Sequence, residues 1–460
     1  MPTYKKLIVA GIAILAIIFA FFPVSFMTPD QARTLGLVLV TLSLWATGLV
    51  PPYLASLLFF VIALVLKLAP PDVVFSGFHS AAMWLVFSGL LIAAAIKSSG
   101  LSERIGGALL GRLSGSYVVL ISGIFAISIV LTFVMPSSLG RFFLLWPIAV
   151  ALADSLGFEK GTTGRTAIAI AVTFACHIPG FALLPSNVPN LILAGAAQTI
   201  YGIDLTYAYY MVLHFPLLGV VKSIIMIALI VRIFPDTPRP QSAGKAEAVS
   251  TPPLGWRQWY VVAILVTTLA FWMTDTFHGI NPAWVGIVAS VALLWPGVGP
   301  VGPAEFDKHV NFSVLLFMGG FLALGAVVNY TGLGIVIAHG MEHILPLEPG
   351  RDFLNFMSLS LIAFVVGVIS ILSGVPAVLT PMAGELAELT GFSVMAVLMT
   401  QVIGFSTILF PYQSAPLMVG MQVTEQPVAK LMKILLPLAA ITALILVPLD
   451  FLWWKLLGVI

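Results

Sequence analysis

Charge is what this chain has least of. Only 8% of its 460 residues are Asp, Glu, Lys or Arg, against about 25% in soluble globular domains. So few charges cannot clothe a water-soluble protein of this length. A net charge of +2, with no basic cluster, gives no footing for nucleic acid as a partner. The single cysteine, Cys176, cannot form an internal disulfide, so the redox compartment is not readable. Metal-ligand spacing is missing among the seven histidines, as are a zinc-protease HExxH, a phosphate-binding loop and a nucleophile elbow. The chain therefore reads as no enzyme. An intramembrane serine hydrolase would have only Ser137 or Ser186 with His177 to draw on.

What is present is apolar length. Hydrophobic residues make up 60% of the chain and the mean hydropathy is +1.11, which predicts an all-α polytopic membrane protein. Runs of spanning length, about 20 residues, fall at 7–27, 34–50, 53–69 and 81–97. The first follows Lys5 and Lys6. It is too long for a secretory signal and lacks a small-residue cleavage pattern, so it reads as a first helix with the N-terminus in the cytoplasm. Residues 98–115, with Glu103, Arg104 and Arg112, are amphipathic and are expected along the interface.

Val134–Arg141, VMPSSLGR, then interrupts the apolar runs with Pro136, Ser137, Ser138, Gly140 and Arg141. Polar backbone at membrane depth is tolerated only inside protein or along a cavity, and a charge there points to function. The stretch reads as the tip of a re-entrant hairpin, 116–158, with Arg141 facing an anion site. The plainer alternative is a loop at the membrane face with Arg141 snorkelling. A segment at 164–203 breaks at 185–190, and a helix at 208–233 closes the first half, residues 1–234. Residues 235–256, rich in Pro, Ser and Ala, read as a cytoplasmic linker.

The second half, 257–460, repeats the plan. Spans fall at 257–275, 280–297 and 310–329, and a polar connector lies near 339–352. A hairpin at 353–391 breaks at Leu372–Pro376, a segment at 393–424 breaks at Pro411–Pro416, and a last helix runs over 433–455. Pro147–Phe158 aligns without gaps to Pro381–Phe392 with six identities, Asp154 facing Glu388. With Lys5 and Lys6 inside, 14 Lys and Arg fall on that side and four on the other, leaving Arg141 and Lys222 within the membrane. That asymmetry fits the positive-inside rule. It makes the halves inverted repeats with paired broken helices, an arrangement typical of secondary transporters.

Short motifs spread over 35–455 carry a resemblance: Trp45–Pro51 (WATGLVP), Phe75–His79 (FSGFH), Trp84–Leu91 (WLVFSGLL), Leu316–Gly325 (LFMGGFLALG) and Tyr330–Leu333 (YTGL). Together they resemble the divalent anion:sodium symporter (DASS, INDY-type) family. The resemblance implies two inverted repeats of about 11 transmembrane helices in all plus two re-entrant hairpins. It also implies scaffold and transport (elevator) domains, a homodimer, and a dicarboxylate or sulfate substrate, usually with Na+ as coupling ion. In that family each tip bears Ser-Asn-Thr and each broken helix Thr-Pro-Pro-Asn.

This chain departs from the pattern. Its tips read Ser137-Ser138-Leu139 and Ser373-Gly374-Val375, and its breaks Asn187-Val188-Pro189-Asn190 and Ser414-Ala415-Pro416-Leu417. The substrate-binding set expected is Ser137, Ser138, Arg141, Asn187, Asn190, Ser373, Gly374, Gln413, Ser414, His177 and Tyr412. Sodium, if held, would use Ser137, Asn187 and Ser373. Hydroxyls and amides supply donors to an anion, and helix N-termini add positive potential. Each alone is weak, since membrane Ser residues more often bond their own backbone. Arg141 is expected to stand in for the sodium or to touch the anion; pairing with Asp154 or Glu159 is the structural alternative. His177 reads as pH sensor, substrate ligand or satisfied core residue. Lys222 is placed in the scaffold, where it snorkels or pairs. Glu385 and Glu388 read as interfacial, with proton coupling the alternative. The expectation is a secondary transporter of a small anion in the cytoplasmic membrane, coupled to sodium, protons or exchange. The alternatives are a mono-anion transporter without sodium, or a non-transporting anion sensor.

Overall fold

The computed structural model describes residues 3–21, 26–101, 116–135, 137–238, 253–342 and 346–460, and these form helices joined by short turns. The amphipathic stretch 98–115 and the linker 235–256 lie mostly outside the described residues. Helices α1 (Thr3–Phe21), α2 (Pro29–Thr47), α3 (Pro52–Val65) and α4 (Ala81–Ser98) come first. Their ends follow local chemistry. Thr28 and Gln31 form a capping box at the start of α2, with Pro29 at its first position, and Ser80 caps α4 through the Met83 amide.

The first hairpin pairs α5 (Tyr117–Val134) with α6 (Ser138–Ser155). A half-helix α7 (Thr163–Ala175) leads through two 3-10 turns to α8 (Val188–Tyr201), and α9 runs from Tyr207 to Ile233 with a π-helical stretch at Phe215–Val221. In the second half come α10 (Trp256–Met273), α11 (Pro282–Leu294), α12 (Phe312–Tyr330) and α13 (Leu333–Glu342). A hairpin of α14 (Asp352–Ile369) and α15 (Gly374–Thr390) follows. Next are the half-helices α16 (Val394–Phe405) and α17 (Ala415–Thr424), then α18 (Val428–Leu456) with a π-helical stretch at Thr442–Leu446. Hairpin, broken helix and π-interrupted helix thus occur twice in the same order.

Six helices among the described residues, α4, α9, α12, α14, α18 and Thr163–Ala182, are long and apolar enough to cross a membrane. Counted as one span, the bent pair Gly374–Thr390 with Val394–Phe405, turned through 117°, brings the number to seven. Several of the apolar runs expected to span, α3 and α11 among them, form helices shorter than a full crossing.

The interior lies around the broken helices. Every residue from Gly164 to Ala175 is buried, because Ala167, Ala169, Ala171 and Ala175 let neighbouring helices approach closely. α5 and α6 pack on each other and on α7, and α14 packs on α16. That second contact depends on Gly404, where an added Cβ would sit 2.1 Å from the Ala363 methyl. α4 packs against α11, and α3 against α12. α9 packs on α5, α7 and the first break.

Candidate functional site

The first tip is built by α5 ending and α6 beginning. The Ser137 hydroxyl accepts the Gly140 amide at 3.1 Å and starts α6. Arg141 falls in that first turn and is fully buried. A cation at a helix N-terminus opposes the helix dipole, so its position must be stabilised by other groups. Its Nε and Nη2 donate to the Cys176 carbonyl at 3.1 and 2.8 Å, and Nη1 donates to the Met135 carbonyl. Those two carbonyls close the C-terminal ends of α5 and α7, where helix dipoles are negative. Nη2 also donates to the Ser138 hydroxyl at 3.2 Å. Among the described residues no carboxylate forms an ion pair with Arg141. The alternative pairing fails because Asp154 is exposed and takes Arg165 at 2.6 Å.

The first break is longer than the sequence indicates. It starts at Cys176, not at 185, because the 3-10 turns Ile178–Ala182 and Leu184–Ser186 are themselves apolar. Its backbone is held by side chains. Asn190 donates to the Gly180 and Leu183 carbonyls at 3.0 and 2.8 Å, Tyr210 to Phe181 at 3.0 Å, and Ser128 to Ala175 at 2.7 Å. Ser186 donates to the Thr132 carbonyl at 2.7 Å, tying the break to α5. The Asn187 Oδ1 accepts the Val188 amide at 3.1 Å. Two buried polar atoms here lack partners among the described residues, the Asn187 amide nitrogen and the Asn190 amide oxygen. Gly180 admits the guanidinium, since an added Cβ would lie 2.9 Å from Arg141 Nη2.

On the other side, the second break runs from Ser406 to Ser414, again starting earlier than its Pro-rich end at 411–416. Gln413 latches it to the second hairpin. Its amide oxygen accepts the Leu409 and Phe410 amides at 2.8 and 2.7 Å, its amide nitrogen donates to the Gly367 carbonyl at 2.8 Å, and its backbone carbonyl accepts the Leu372 amide at 3.1 Å. Tyr412 is exposed, donates to the Val368 carbonyl and stacks on Phe410. Ser373 is half-buried and its hydroxyl bonds to none of the described residues, while Gly374 is buried beside Ser370.

His177 joins the halves. Its Nε2 lies 2.6 Å from the Ser414 hydroxyl and its Nδ1 3.4 Å from the Ser138 hydroxyl. A guanidinium only donates, and in the His177 tautomer that carries its hydrogen on Nε2 the chain runs in one direction. Arg141 donates to Ser138, Ser138 to His177 Nδ1, and the Nε2 hydrogen to Ser414. The Ser414 hydrogen is then free to donate onward to an acceptor. A hydrogen-bonded path therefore connects the first tip, both breaks and, through Gln413, the second tip.

A cavity of about 650 Å³ between α4 and α6 reaches this assembly. Met135, Ser137 and Gly140 line it on the tip, and exposed Lys97 with half-buried His309 line it elsewhere. Arg141 lies behind the tip and out of the cavity. Among the described residues no group of three or more His, Cys, Asp or Glu could hold a metal ion. Sodium would depend on hydroxyl and carbonyl oxygens, and the Met135 and Cys176 carbonyls already face Arg141.

Outside this path, Glu388 is exposed, whereas Glu385 is half-buried with one carboxylate oxygen unpartnered. Lys222 does not snorkel; it is buried and donates to the Ser406 carbonyl at 2.7 Å. Sequence reasoning missed Gly180, Ser128, Thr132, Tyr210 and Asp450.

Comparison with known proteins places this architecture. The family model described as the sodium:sulfate symporter transmembrane region matches residues 3–460. A membrane protein of Cupriavidus necator is 25% identical over 264 residues, 56% of this chain and 51% of that one, so the chain spans about half that relative's length. An uncharacterized transporter of Haemophilus influenzae is 21% identical over 465 residues, covering 96% of this chain and 97% of the other. The sodium-dependent dicarboxylate transporter SdcS of Staphylococcus aureus is 20% identical over 361 residues, 70% and 68% of the two chains. Among solved structures, the YdaH transporter of Alcanivorax borkumensis superposes with a TM-score of 0.54 at 15% identity, covering 99% of this chain and 98% of that one, a likeness of fold alone. With the model matched along nearly its whole length, this integral membrane protein belongs to the sodium:sulfate symporter family of anion transporters.

Proposed function

We propose that the chain is a secondary active transporter of a small anion, with a tethered guanidinium where relatives of this family would place a sodium ion. The observation that carries the reading is Arg141. It is wholly buried, has no carboxylate partner among the described residues, and is ringed by two carbonyls and a hydroxyl. Such an oxygen set suits a cation, and an uncompensated buried charge is costly unless an anion arrives. The anion takes the donors in front of Arg141: Ser137 and the α6 N-terminus, the Ser414 hydroxyl, the Asn187 amide and Ser373.

In this reading the halves 1–234 and 257–460 are inverted repeats. The hairpins, broken helices, α9 and α18 move as an elevator against a scaffold of α1–α4 and α10–α12, within a homodimer in the cytoplasmic membrane with the N-terminus inside. The large cavity beside Lys97 is then the entry on that side. Dicarboxylate or sulfate is the first substrate class, following the family. A mono-anion is the second, favoured by a second tip that offers only Ser373 because the Gln413 amide is committed to backbone. The protein performs transport, not catalysis.

Proteoliposome uptake of labelled succinate, sulfate and lactate, with and without a sodium gradient, tests this. Uptake of at least one of them without sodium is expected. Strict sodium dependence overturns the cation replacement, and no transport of any probe overturns the transport reading.

A further inference from the structure

A second buried polar cluster lies outside the anion path, between α9 and α18. Asp450 is fully buried in α18, a few residues beyond the π-helical stretch, and neither of its carboxylate oxygens has a hydrogen-bond partner among the described residues. Lys222 is buried directly after the π-helical stretch of α9. α9 and α18 pack together, and Lys222 and Asp450 are near enough there to act on each other's charge, with no contact ion pair between them among the described residues. His214, immediately before the same stretch, is fully buried with both ring nitrogens unpartnered among the described residues, and its ring packs edge-on against Trp454 and Tyr210. The Trp454 ring nitrogen is also unpartnered. Unsatisfied titratable groups at membrane depth are retained where they serve ion or proton passage, and π-helical turns recur at such places.

The cluster is wired to the anion path. The Lys222 ammonium donates to the carbonyl of Ser406, the first residue of the break that ends at Ser414. Tyr210 reaches the first break through the Phe181 carbonyl. The titratable and charged groups on elements packed against Asp450 are few. α9 carries Tyr207, Tyr209, Tyr210, His214, Lys222 and Arg232. α14 carries Asp352, which pairs with Lys455 of α18 at 3.5 Å where both are partly exposed. Lys430 and Lys433 lie at the opposite end of α18.

We propose that Asp450 and Lys222 form a proton-carrying site that couples anion passage to a proton gradient. The proposal rests on the transport reading above. One proton adds to a carboxylate oxygen of Asp450 from one aqueous face and leaves from the same oxygen to the other face, with no bond to carbon changed. With Asp450 protonated, the Lys222 charge is uncompensated, stays on the Ser406 carbonyl and favours an anion at the adjacent break. With Asp450 ionised, that charge is neutralised and the anion is held less tightly, so the empty carrier returns in the ionised form while anion can still bind to and leave the protonated one. One mono-anion with one proton then crosses as a neutral pair.

The test uses full-length protein in sodium-free proteoliposomes with an internal pH dye and labelled succinate, sulfate and lactate. Exchange at equal concentrations inside and out reads transport alone; accumulation under an imposed pH gradient reads coupling. Wild type is expected to do both. Asp450→Asn should keep exchange and lose about tenfold or more of gradient-driven accumulation and of the dye signal, while Asp450→Glu retains both. Infrared difference spectra between acid and alkaline buffer, which need no transport, should show a protonated-carboxyl band that Asp450→Asn removes and Lys222→Gln shifts. Undiminished proton-driven accumulation in Asp450→Asn overturns the proposal, as does the lack of that band in wild type. Failure of wild-type exchange with every probe overturns the transport reading instead, and the infrared band alone then decides whether Asp450 carries the proton.

Discussion

His177 and Ser414, 237 residues apart in sequence, share a 2.6 Å hydrogen bond that ties the first broken helix to the second. Because the imidazole also meets Ser138, the bond belongs to a chain that starts at Arg141. Ser414→Ala leaves a buried ring nitrogen without a partner, which costs about 1–3 kcal/mol. The expected outcome is a lower melting temperature and reduced anion uptake. His177→Ala combined with Ser414→Ala should be no worse than His177→Ala alone, since both remove one interaction. Additive losses in the double variant would show that the two side chains act independently.

Replacing Arg141 by serine empties a cation-shaped set of oxygens. Arg141→Ser is expected to acquire sodium-dependent thermal stabilisation, and sodium stimulation of uptake, that wild type lacks. The comparison is sodium against choline chloride at equal ionic strength. A flat sodium response in the variant sinks the idea that the guanidinium occupies a cation's place.

Gly180 and Arg141 share one space. Gly180→Ala drives a methyl to 2.9 Å from Nη2 and 3.2 Å from the Ser186 carbonyl, an overpacking expected to cost about 1–3 kcal/mol. Shortening the arginine relieves it, so Gly180→Ala with Arg141→Ala should lose less stability than the sum of the single changes. A thermal-melt cycle over the four proteins measures the difference.

Gln413→Leu removes three side-chain hydrogen bonds at once and strands the Leu409 and Phe410 amides. A loss of about 3 kcal/mol or more follows. Amide hydrogen exchange should accelerate locally, over 366–376 and 406–414, with the first hairpin unchanged. A uniform acceleration would falsify the latch assignment.

The sequence disclosed the polar ends of the four interruptions because Pro, Ser, Gly and Asn stand out among apolar neighbours. It did not disclose where the interruptions begin. Cys176–Ala182 and Ser406–Phe410 are mostly apolar and read as helix, although their backbone departs from it. Arg141 was conspicuous as the charge within an apolar run, whereas its neighbour Gly180 was not. Nothing near Gly180 in sequence reveals that a guanidinium 39 positions earlier lies against it. Ser128 looks like any hydroxyl in a membrane helix, and only the fold shows it holding the Ala175 carbonyl, one turn before the Thr132 carbonyl accepts the Ser186 hydroxyl. Nothing flanking Lys222 in sequence points to its partner, the Ser406 carbonyl, which lies 184 residues away.

Arg141 is bonded to the chain, and that has a thermodynamic consequence for the proposed cycle. A sodium ion boards on one face and leaves on the other, so its gradient does work in every turnover. A guanidinium fixed to α6 crosses with the anion and returns without it. The membrane potential acts on it with about 2.3 kcal/mol per elementary charge per 100 mV, in opposite senses on the two legs, and the sum over a closed cycle is zero. Arg141 can neutralise a mono-anion in transit but cannot drive its accumulation. The empty return leg carries a bare positive charge, so an interior-negative potential slows its outward reset. Exchange of one anion for another bypasses that leg altogether, and is the mode in which a tethered cation hinders turnover least.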